Sequence, residues 1–158
     1  MIKEEIDFLD HSNRIEREYS KNAMEDAVKC WKFVKKTDKP MDRKLIKKVH
    51  KKLMERINPE IAGKFRRIQV GVVTQEGFKE AIHWSHIDHQ LINLCEVNPM
   101  TEEAIKKWHI DFEHIHPFED GNGRTGRILM NLQRMRAGLP LIIIHEGKEQ
   151  MEYYKWFG

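Results

Sequence analysis

Hydrophobic residues recur along the first third of the chain at the three- and four-residue spacing of a helix face. Residues 3 to about 35 are helical in pattern, with an apolar stripe at Met24, Ala27, Val28, Trp31 and Val34. After the interruption "TDKP", a second helix is predicted from about Asp42 to Ile57. Its stripe is Leu45, Ile46, Val49, Leu53 and Ile57, and "NPEIAG" ends it with proline and glycine.

The pattern changes over "KFRRIQVGVVTQEGF", residues 64 to 78, where β-branched residues and glycines replace the helical stripe. The tetrapeptide "TQEG" is typical of a turn, so the segment predicts a short β-hairpin. Helical patterning then resumes from about His86 to Glu96.

The C-terminal half is again dominated by helical signals. Thr101 is a good N-cap residue, and the acidic pair that follows it suits a first helical turn. The apolar face of this helix is Ile105, Trp108, Phe112 and Ile115, although the alternation of Trp108, Ile110 and Phe112 leaves a strand open. The next helix has a stripe at Ile128, Leu129, Leu132 and Met135 and ends near Gly138.

The remaining C-terminal residues complete a mainly α-helical single domain with one small β-hairpin. "LPLIII" is a short extended piece, and "EQMEYYKW" predicts a last helix. A length of 158 residues suits one domain with one core.

The composition gives information on the cellular location and the partners of the protein, but little on its reaction. Hydrophobic residues make up 40% and charged residues 34%, and no apolar run approaches the ~20 residues that cross a membrane. The acidic N-terminus is unlike a signal peptide, and Cys30 and Cys95 are interpreted as buried thiols, so a cytoplasmic protein is expected. The net charge of +3 is slight, and "DRKLIKKVHKKLMER" is typical of a solvated helix face, so no nucleic-acid partner is expected.

The stretch "HIHPFEDGNGRTGR", residues 114 to 127, carries the chemistry. Its core "GNGRTG" fits a dinucleotide-binding fingerprint, and Glu146 lies about twenty residues further on, as that fingerprint requires. However, the segment before the glycines is helical in pattern, and the 31 residues after Arg127 are too few for a doubly wound sheet. The Walker pattern is excluded because no Lys-Ser/Thr pair follows the glycines, and a kinase glycine loop would lack its downstream segments.

The remaining interpretation is an anion-binding loop that opens a helix. Gly121 and Gly123 permit backbone conformations that point successive amides into one concavity, and the helix N-terminus adds its positive end. Arg124 and Arg127 stand three residues apart, and each guanidinium can hold a phosphate group. Two arginines beside such a loop indicate a polyphosphate.

Four further residues complete a site for transfer of a phosphate-containing group. His116 suits a general base that deprotonates a hydroxyl, and Asp120 supplies a hard oxygen ligand for Mg²⁺. Asn122 adds a neutral donor and acceptor. Phe118 is expected to anchor the loop in the core.

"HPFEDGNGRTGR" resembles the Fic-family signature H-P-F-x-[D/E]-G-N-G-R-x-x-R, with every defining position filled. The resemblance implies one Fic domain over residues 1 to 158, a catalytic loop and helix start at residues 116 to 127, and AMP transfer from ATP to a protein Ser, Thr or Tyr hydroxyl. It implies His116 as general base and Asp120 as the Mg²⁺ ligand. Gly121, Asn122 and Gly123 would contact the phosphates, and Arg124 and Arg127 would hold the β- and γ-phosphates.

Two other segments extend the resemblance. "AGKFRRIQV" is similar to the start of the family's flap, which implies that a flap hairpin at about residues 64 to 80 docks an extended segment of a target protein by adding a strand. "GLPLIII" resembles the segment that follows the motif. Gly123 stands where the related Doc-type kinases carry lysine, which favours nucleotidyl transfer.

"SNRIERE", beginning at Ser12, resembles the inhibitory motif [S/T]-x-x-x-E-[G/N] that some Fic proteins carry on an N-terminal helix, here about residues 8 to 20. The resemblance implies that Glu16 pairs with Arg127 and denies it to the γ-phosphate. Arg17 departs from the motif, because glycine or asparagine is usual there.

Several alternatives stay open on the sequence. The same site could use UMP, GMP or phosphocholine donors, remove AMP, or modify the protein itself. A nucleotide-binding regulatory module without turnover is a non-enzymatic alternative. A metallohydrolase would instead use His83, His86 and His89 with Asp88, or His114 and His116 with Glu113.

Overall fold

The polypeptide folds into seven α-helices and one two-stranded antiparallel sheet in a computed structural model that describes all 158 residues. The predicted mainly helical fold with one small hairpin is confirmed. No helix combines the length and the apolar character needed to span a bilayer. The elements are α1 (Lys3–Ile15), α2 (Lys21–Lys36), α3 (Arg43–Met54), β1 (Gly71–Thr74), β2 (Gly77–Glu80), α4 (Ile87–Cys95), α5 (Glu102–Ile115), α6 (Asn122–Arg136) and α7 (Lys148–Tyr154), with 3₁₀ turns at Trp84–His86 and Lys155–Phe157.

The helices enclose two apolar clusters that meet at α5 and α6. The larger cluster of 22 buried side chains combines the predicted stripes of α2, α3, α5 and α6 around Trp31, Trp108 and Phe112. The smaller cluster joins Ile15 at the end of α1 to Tyr153 and Phe157 at the C-terminus. The two terminal helices are therefore packed against the helices that flank the glycine loop.

Local capping signals predicted the helix ends well where a good capping residue was present. Thr101 Oγ1 accepts from the Ala104 amide at 3.2 Å, and Asp42 Oδ1 accepts from the Leu45 amide at 2.8 Å. Gly138 follows α6 with a φ of 76°, in the left-handed region that glycine adopts freely. The segment around Trp108, where the sequence also allowed a strand, is part of the helix α5.

The N-terminal helical region is two helices rather than one. The chain leaves α1 at Glu16, and α2 begins after Ser20, whose Oγ accepts from the Ala23 amide at 3.1 Å. Two other expectations also differ from the structure. Ile57 lies beyond the end of α3 and is 37% exposed, and Cys95 is only partly buried, unlike Cys30.

Arg66 is a buried cation that fastens the base of the flap hairpin to the end of α5. Its side chain is 2% exposed, and its guanidinium donates to four backbone carbonyl groups. Two of these, His116 O at 2.7 Å and Ile115 O at 3.2 Å, belong to the C-terminus of α5, where a positive charge complements the helix dipole. The others are Ile68 O and Ile82 O on the two sides of the hairpin.

Replacement of Arg66 by lysine should lower the free energy of unfolding by about 2–3 kcal/mol, because an ammonium group cannot reach four carbonyl groups that a planar fork reaches together. Chemical denaturation measures the difference. Arg67→Lys is the matched control, since Arg67 is exposed and should tolerate the change. Equal stability of Arg66→Lys and Arg67→Lys would contradict the role given to Arg66.

Candidate active site

His116 ends α5 and faces the cleft as a neutral base. It is in the left-handed region, with φ 51° and ψ 63°, and its amide donates to Phe112 O at 3.1 Å. Its ring Nδ1 lies 3.1 Å from Glu113 O. Because a carbonyl oxygen only accepts, Nδ1 carries the proton and Nε2 keeps a free lone pair. Burial lowers the pKa of His116, which keeps the ring neutral near pH 7.

The loop after His116 is held in shape by buried groups. Phe118 is fully buried and stacks on His50, with ring centroids 3.7 Å apart and planes 5° from parallel. Asn122 Oδ1 accepts from the Phe118 amide at 2.9 Å, and Asn122 Nδ2 donates to Phe118 O at 2.8 Å. The His50 ring accepts from the Gly63 amide at Nδ1, so its Nε2–H donates to Asp120 O at 2.8 Å. The loop is therefore rigid on its inner side.

Two of these roles were not predicted. Asn122 was assigned to phosphate binding, but its side-chain amide bonds the backbone of Phe118, which leaves only its main-chain N–H for an anion. His50 received no role from the sequence. The available signal was a histidine within the apolar stripe of α3, four residues after Ile46, because such a position is buried and demands hydrogen-bond partners.

The N-terminus of α6 is open to the cleft. Gly121 precedes it with a φ of 81°, no side chain caps it, and its first helical bond runs from the Thr125 amide to Gly121 O. The amides of residues 122 to 124 therefore have no partner within the helix and form the predicted anion-binding end. Gly123 lies outside the left-handed region, so its backbone does not require glycine. A Cβ at this position would meet Glu16 Oε1, so the carboxylate would have to shift.

Arg127 is the only signature arginine that reaches the cleft with its guanidinium, and it is already bonded there. It is 2% exposed, and its Nε donates to Ser12 Oγ at 2.8 Å. Its Nη2 donates to Ser12 O at 3.0 Å and to Glu16 Oε1 at 2.7 Å. Ser12 and Glu16 are four residues apart and so lie on one face at the end of α1. Tyr153 OH lies 3.5 Å from Nη1 on the opposite side.

Arg124 and Asp120 occupy different surroundings. Arg124 is 5% exposed, donates to Met54 Sδ at 3.1 Å and does not line the cleft that contains Arg127. The two guanidinium groups therefore have different hydrogen-bond partners, Met54 for Arg124 and the Ser12–Glu16 pair for Arg127. Asp120 is exposed at the cleft mouth, and its Oδ1 accepts from the Gly121 amide at 2.8 Å.

The cleft itself is small, about 210 Å³, and is bounded by the loop, Glu16, Arg127 and the inner face of β1. A larger groove of about 690 Å³ is lined by Arg66 together with Lys47, Phe65 and Trp84. The larger groove contains neither His116 nor the open end of α6, so the smaller cleft is the candidate active site.

A comparison with protein-family models matches residues 40–133 to the Fic/DOC family, which is more than half of the chain. The chain belongs to the Fic/DOC family. The matched region includes His116, the loop and Arg127, so the family assignment and the site geometry concern the same residues.

Curated relatives agree with this assignment, and solved structures share the fold. The chain is 34% identical over 121 residues to the protein adenylyltransferase Fic of Drosophila virilis and 36% identical over 116 residues to that of Aedes aegypti. These matches cover 69% and 70% of the chain, but only 23% of each relative. The fold resembles a Fic domain containing signaling protein from Bacteroides thetaiotaomicron, with a TM-score of 0.81 at 21% identity over 96% of this chain and 69% of the other. It also resembles Fic-1 from C. elegans, with a TM-score of 0.78 at 22% identity, and the match covers 98% of this chain and 54% of the other.

The hairpin predicted as the Fic/DOC flap is present, with shorter strands than the predicted segment. Val73 pairs with Phe78, and both side chains are largely exposed, at 65% and 76%. The ring of Phe78 covers Gly71, where a Cβ would collide with it. The residues from 64 to 70 lead into the hairpin without belonging to a strand.

The histidines of the metallohydrolase alternative are dispersed in the Fic/DOC fold. His83 and His86 have ring centroids 6.2 Å apart, and His89 lies next to Asn93 on α4. His114 Nε2 donates to Phe157 O at 3.1 Å, away from His116. No group of three or more His, Cys, Asp or Glu side chains in the chain is arranged to hold a metal ion.

The backbone conformation of Arg17 gives a physical reason for the glycine or asparagine that is usual at this position of the inhibitory motif. The Glu18 amide donates to Asn13 O and the Arg17 amide to Arg14 O, both at 2.9 Å, which is the Schellman arrangement of a helix end. Arg17 is its left-handed residue, with a φ of 57°. Glycine or asparagine suits this position because other side chains are strained there.

Replacement of Arg17 by glycine should therefore raise the free energy of unfolding by about 1 kcal/mol, equivalent to a melting temperature about 2–4 °C higher. Thermal unfolding checks this. Arg17→Ala removes the same exposed side chain but retains Cβ, so it should not produce the gain. Stabilisation of the same size by alanine would show that the arginine side chain, and not its backbone conformation, is unfavourable.

Proposed function

We propose that this Fic/DOC domain transfers AMP from ATP to a Ser, Thr or Tyr hydroxyl of a protein. The observation that carries the proposal is the unprotonated Nε2 of His116 beside the open N-terminus of α6. The naming of similar proteins as protein adenylyltransferases supports the choice of AMP as the transferred group. Because the chain spans about a quarter of the length of those relatives, the proposal concerns the activity of residues 1–158 only.

His116 supplies the general base. Its Nε2 takes the proton of the target hydroxyl while the hydroxyl oxygen bonds to the α-phosphorus of ATP. The bond between that phosphorus and the bridging oxygen breaks, and pyrophosphate leaves with the bonding electron pair. The free amides of residues 122 to 124 and the positive end of the α6 dipole stabilise the negative charge of the bound phosphates. They also stabilise this charge as it shifts between oxygens during the transfer.

Asp120 fits a role as the protein ligand of Mg²⁺. Its carboxylate is exposed at the cleft mouth, and only one of its oxygens accepts from a protein group, the Gly121 amide. A single carboxylate with phosphate oxygens and water is a common Mg²⁺ environment. The cation would neutralise phosphate charge when bound.

Glu16 restrains this activity in the proposal. Its carboxylate bonds the Nη2 of Arg127 and lies over Gly123, so it competes with a terminal phosphate for both the charge and the space. The side chain of Glu16 is 37% exposed, whereas that of Arg127 is 3% exposed. Glu16 is therefore the partner that can leave, and movement of the end of α1 would release Arg127.

The flap hairpin is the proposed docking site for an extended segment of the target protein. β1 lines the cleft, and its outer edge is unpaired because the sheet has only two strands. A target segment that added a strand there would hold its hydroxyl near His116. The protein itself is a possible target, and free Cys30 and Cys95 suit a reducing compartment such as the cytoplasm.

When it is incubated with Mg²⁺ and ATP, the Glu16→Gly variant should gain the mass of AMP in intact-mass spectrometry. With labelled ATP in cell lysate, it should instead transfer the label to another protein. Wild type should give far less of either product. Adding His116→Ala should reduce the transfer by about 100-fold or more, because the general base is lost, while nucleotide binding remains. Binding of ATP by Glu16→Gly without any transfer would instead indicate a regulatory nucleotide-binding module.

The pH dependence of kcat/KM for ATP tests the base separately, because it reports the ionisation of His116 in the ATP-free site. Because burial lowers the pKa of His116 below its ordinary value of 6.5, the ring should stay unprotonated and active at pH 6.5. The rate of Glu16→Gly should therefore fall only on further acidification. A loss of half the rate above pH 6.5 would contradict the environment described for His116.

A further inference from the structure

Glu113 is a buried acid in the candidate site that the proposed reaction does not use. It lies on α5, three residues before His116 and outside the Fic signature, and it is 6% exposed. Its Oε1 is fully buried and has no hydrogen-bond partner. Since an unpaired buried carboxyl oxygen is costly, its burial indicates a hydrogen-bond partner in another state of the site.

Arg127 is the only lysine or arginine among the side chains that line the cleft together with Glu113. From α5, His109 Nε2 lies 4.0 Å from Glu113 Oε1, but the neutral ring donates from Nδ1 to Gly126 O and accepts from Tyr153 OH at 2.6 Å. Burial lowers the pKa of His109 to about 3, so it provides no positive charge. From α7, Tyr153 remains a neutral phenol because burial raises its pKa.

Glu16 and Glu113 line the same cleft as Arg127, and the two acids cannot both be ionised at low cost. Burial raises the pKa of Glu113 to about 8, the charge of Arg127 lowers it, and the charge of Glu16 raises it. Glu113 is thus neutral near pH 7 while Glu16 occupies Arg127. Departure of Glu16 removes the opposing charge and leaves Arg127 attractive to a second carboxylate.

Gly126 shows that the fold makes room for this carboxyl group. A Cβ at Gly126 would collide with Glu113 Oε1 and would lie 3.1 Å from the Phe112 ring. The signature leaves this position free, because it reads R-x-x-R from Arg124 to Arg127. Glycine is therefore matched here to the acid on the neighbouring helix.

We propose that Glu113 is a positioning residue that takes over Arg127 when Glu16 leaves, and that a terminal phosphate of ATP displaces it with uptake of one proton. In the released site the ionised Glu113 holds the guanidinium in place. When the phosphate arrives, Arg127 changes partner, and the carboxylate takes a proton from solvent because it cannot remain charged and unpaired. This inference rests on the proposed binding of ATP at Arg127.

Isothermal titration of Mg²⁺ and ATP into Glu16→Gly, in buffers of different ionisation enthalpy at pH 8, counts the protons taken up. We expect Glu16→Gly to take up more protons than Glu16→Gly/Glu113→Gln, with a difference approaching one per ATP. AMP, which lacks the terminal phosphates, should show no such difference. Glu16→Gly/Glu119→Gln is the matched control, because Glu119 is an exposed acid at the same cleft and should leave the count unchanged.

The affinity of Glu16→Gly for ATP should also fall as pH rises from 6 to 9, by up to about tenfold per pH unit where one proton is coupled. This second measurement does not depend on the Glu113→Gln variant being folded. Equal proton counts with and without Glu113, or an affinity that does not vary with pH, would overturn the inference while leaving adenylyl transfer intact. Absence of both ATP binding and transfer in Glu16→Gly would overturn the proposed function and the inference together.

Discussion

The buried guanidinium of Arg127 is the constraint on which the arrangement of the site depends. A cation that is 2% exposed must be surrounded by acceptors, because an uncompensated buried charge costs several kcal/mol. These acceptors come from the two ends of the chain, Ser12 and Glu16 from α1 and Tyr153 from α7. It follows that Glu16 can be exchanged at low cost only for another anion, and the two that we propose are a nucleotide phosphate and the carboxylate of Glu113.

The site combines a rigid side with a side that is easily opened. His50, Phe118 and Asn122 fix the loop from within, and Arg66 fixes the end of α5 to the flap through four carbonyl groups. The restraining side depends instead on one partly exposed carboxylate at a helix end with a strained residue. The proposed opening would therefore disrupt a partly exposed contact at a strained helix end and would not require breaking the hydrogen bonds that hold the loop.

The sequence predicted the features that are encoded locally. Helix faces, the caps at Thr101 and Gly138 and the "TQEG" turn each depend on a few adjacent residues, and the glycine loop is recognisable because its chemistry is concentrated in twelve positions. The roles of Arg66 and His50 were not predictable in this way, because their partners lie on segments that are distant in the chain; only the burial of His50 could be predicted, from its place in the apolar stripe of α3. The break between α1 and α2 was missed for a related reason, since Arg17 occupies a left-handed position without the glycine that would have marked it.

The strained helix end at Arg17 has an evolutionary consequence. Every arginine codon becomes a glycine codon by a single base change, and at this position that change would relieve backbone strain without touching Ser12, Glu16 or any residue of the loop. Selection could therefore adjust how firmly the end of α1 stays closed in one mutational step, independently of the catalytic rate. The exposed side chain at residue 17 makes such a step tolerable for the remainder of the domain.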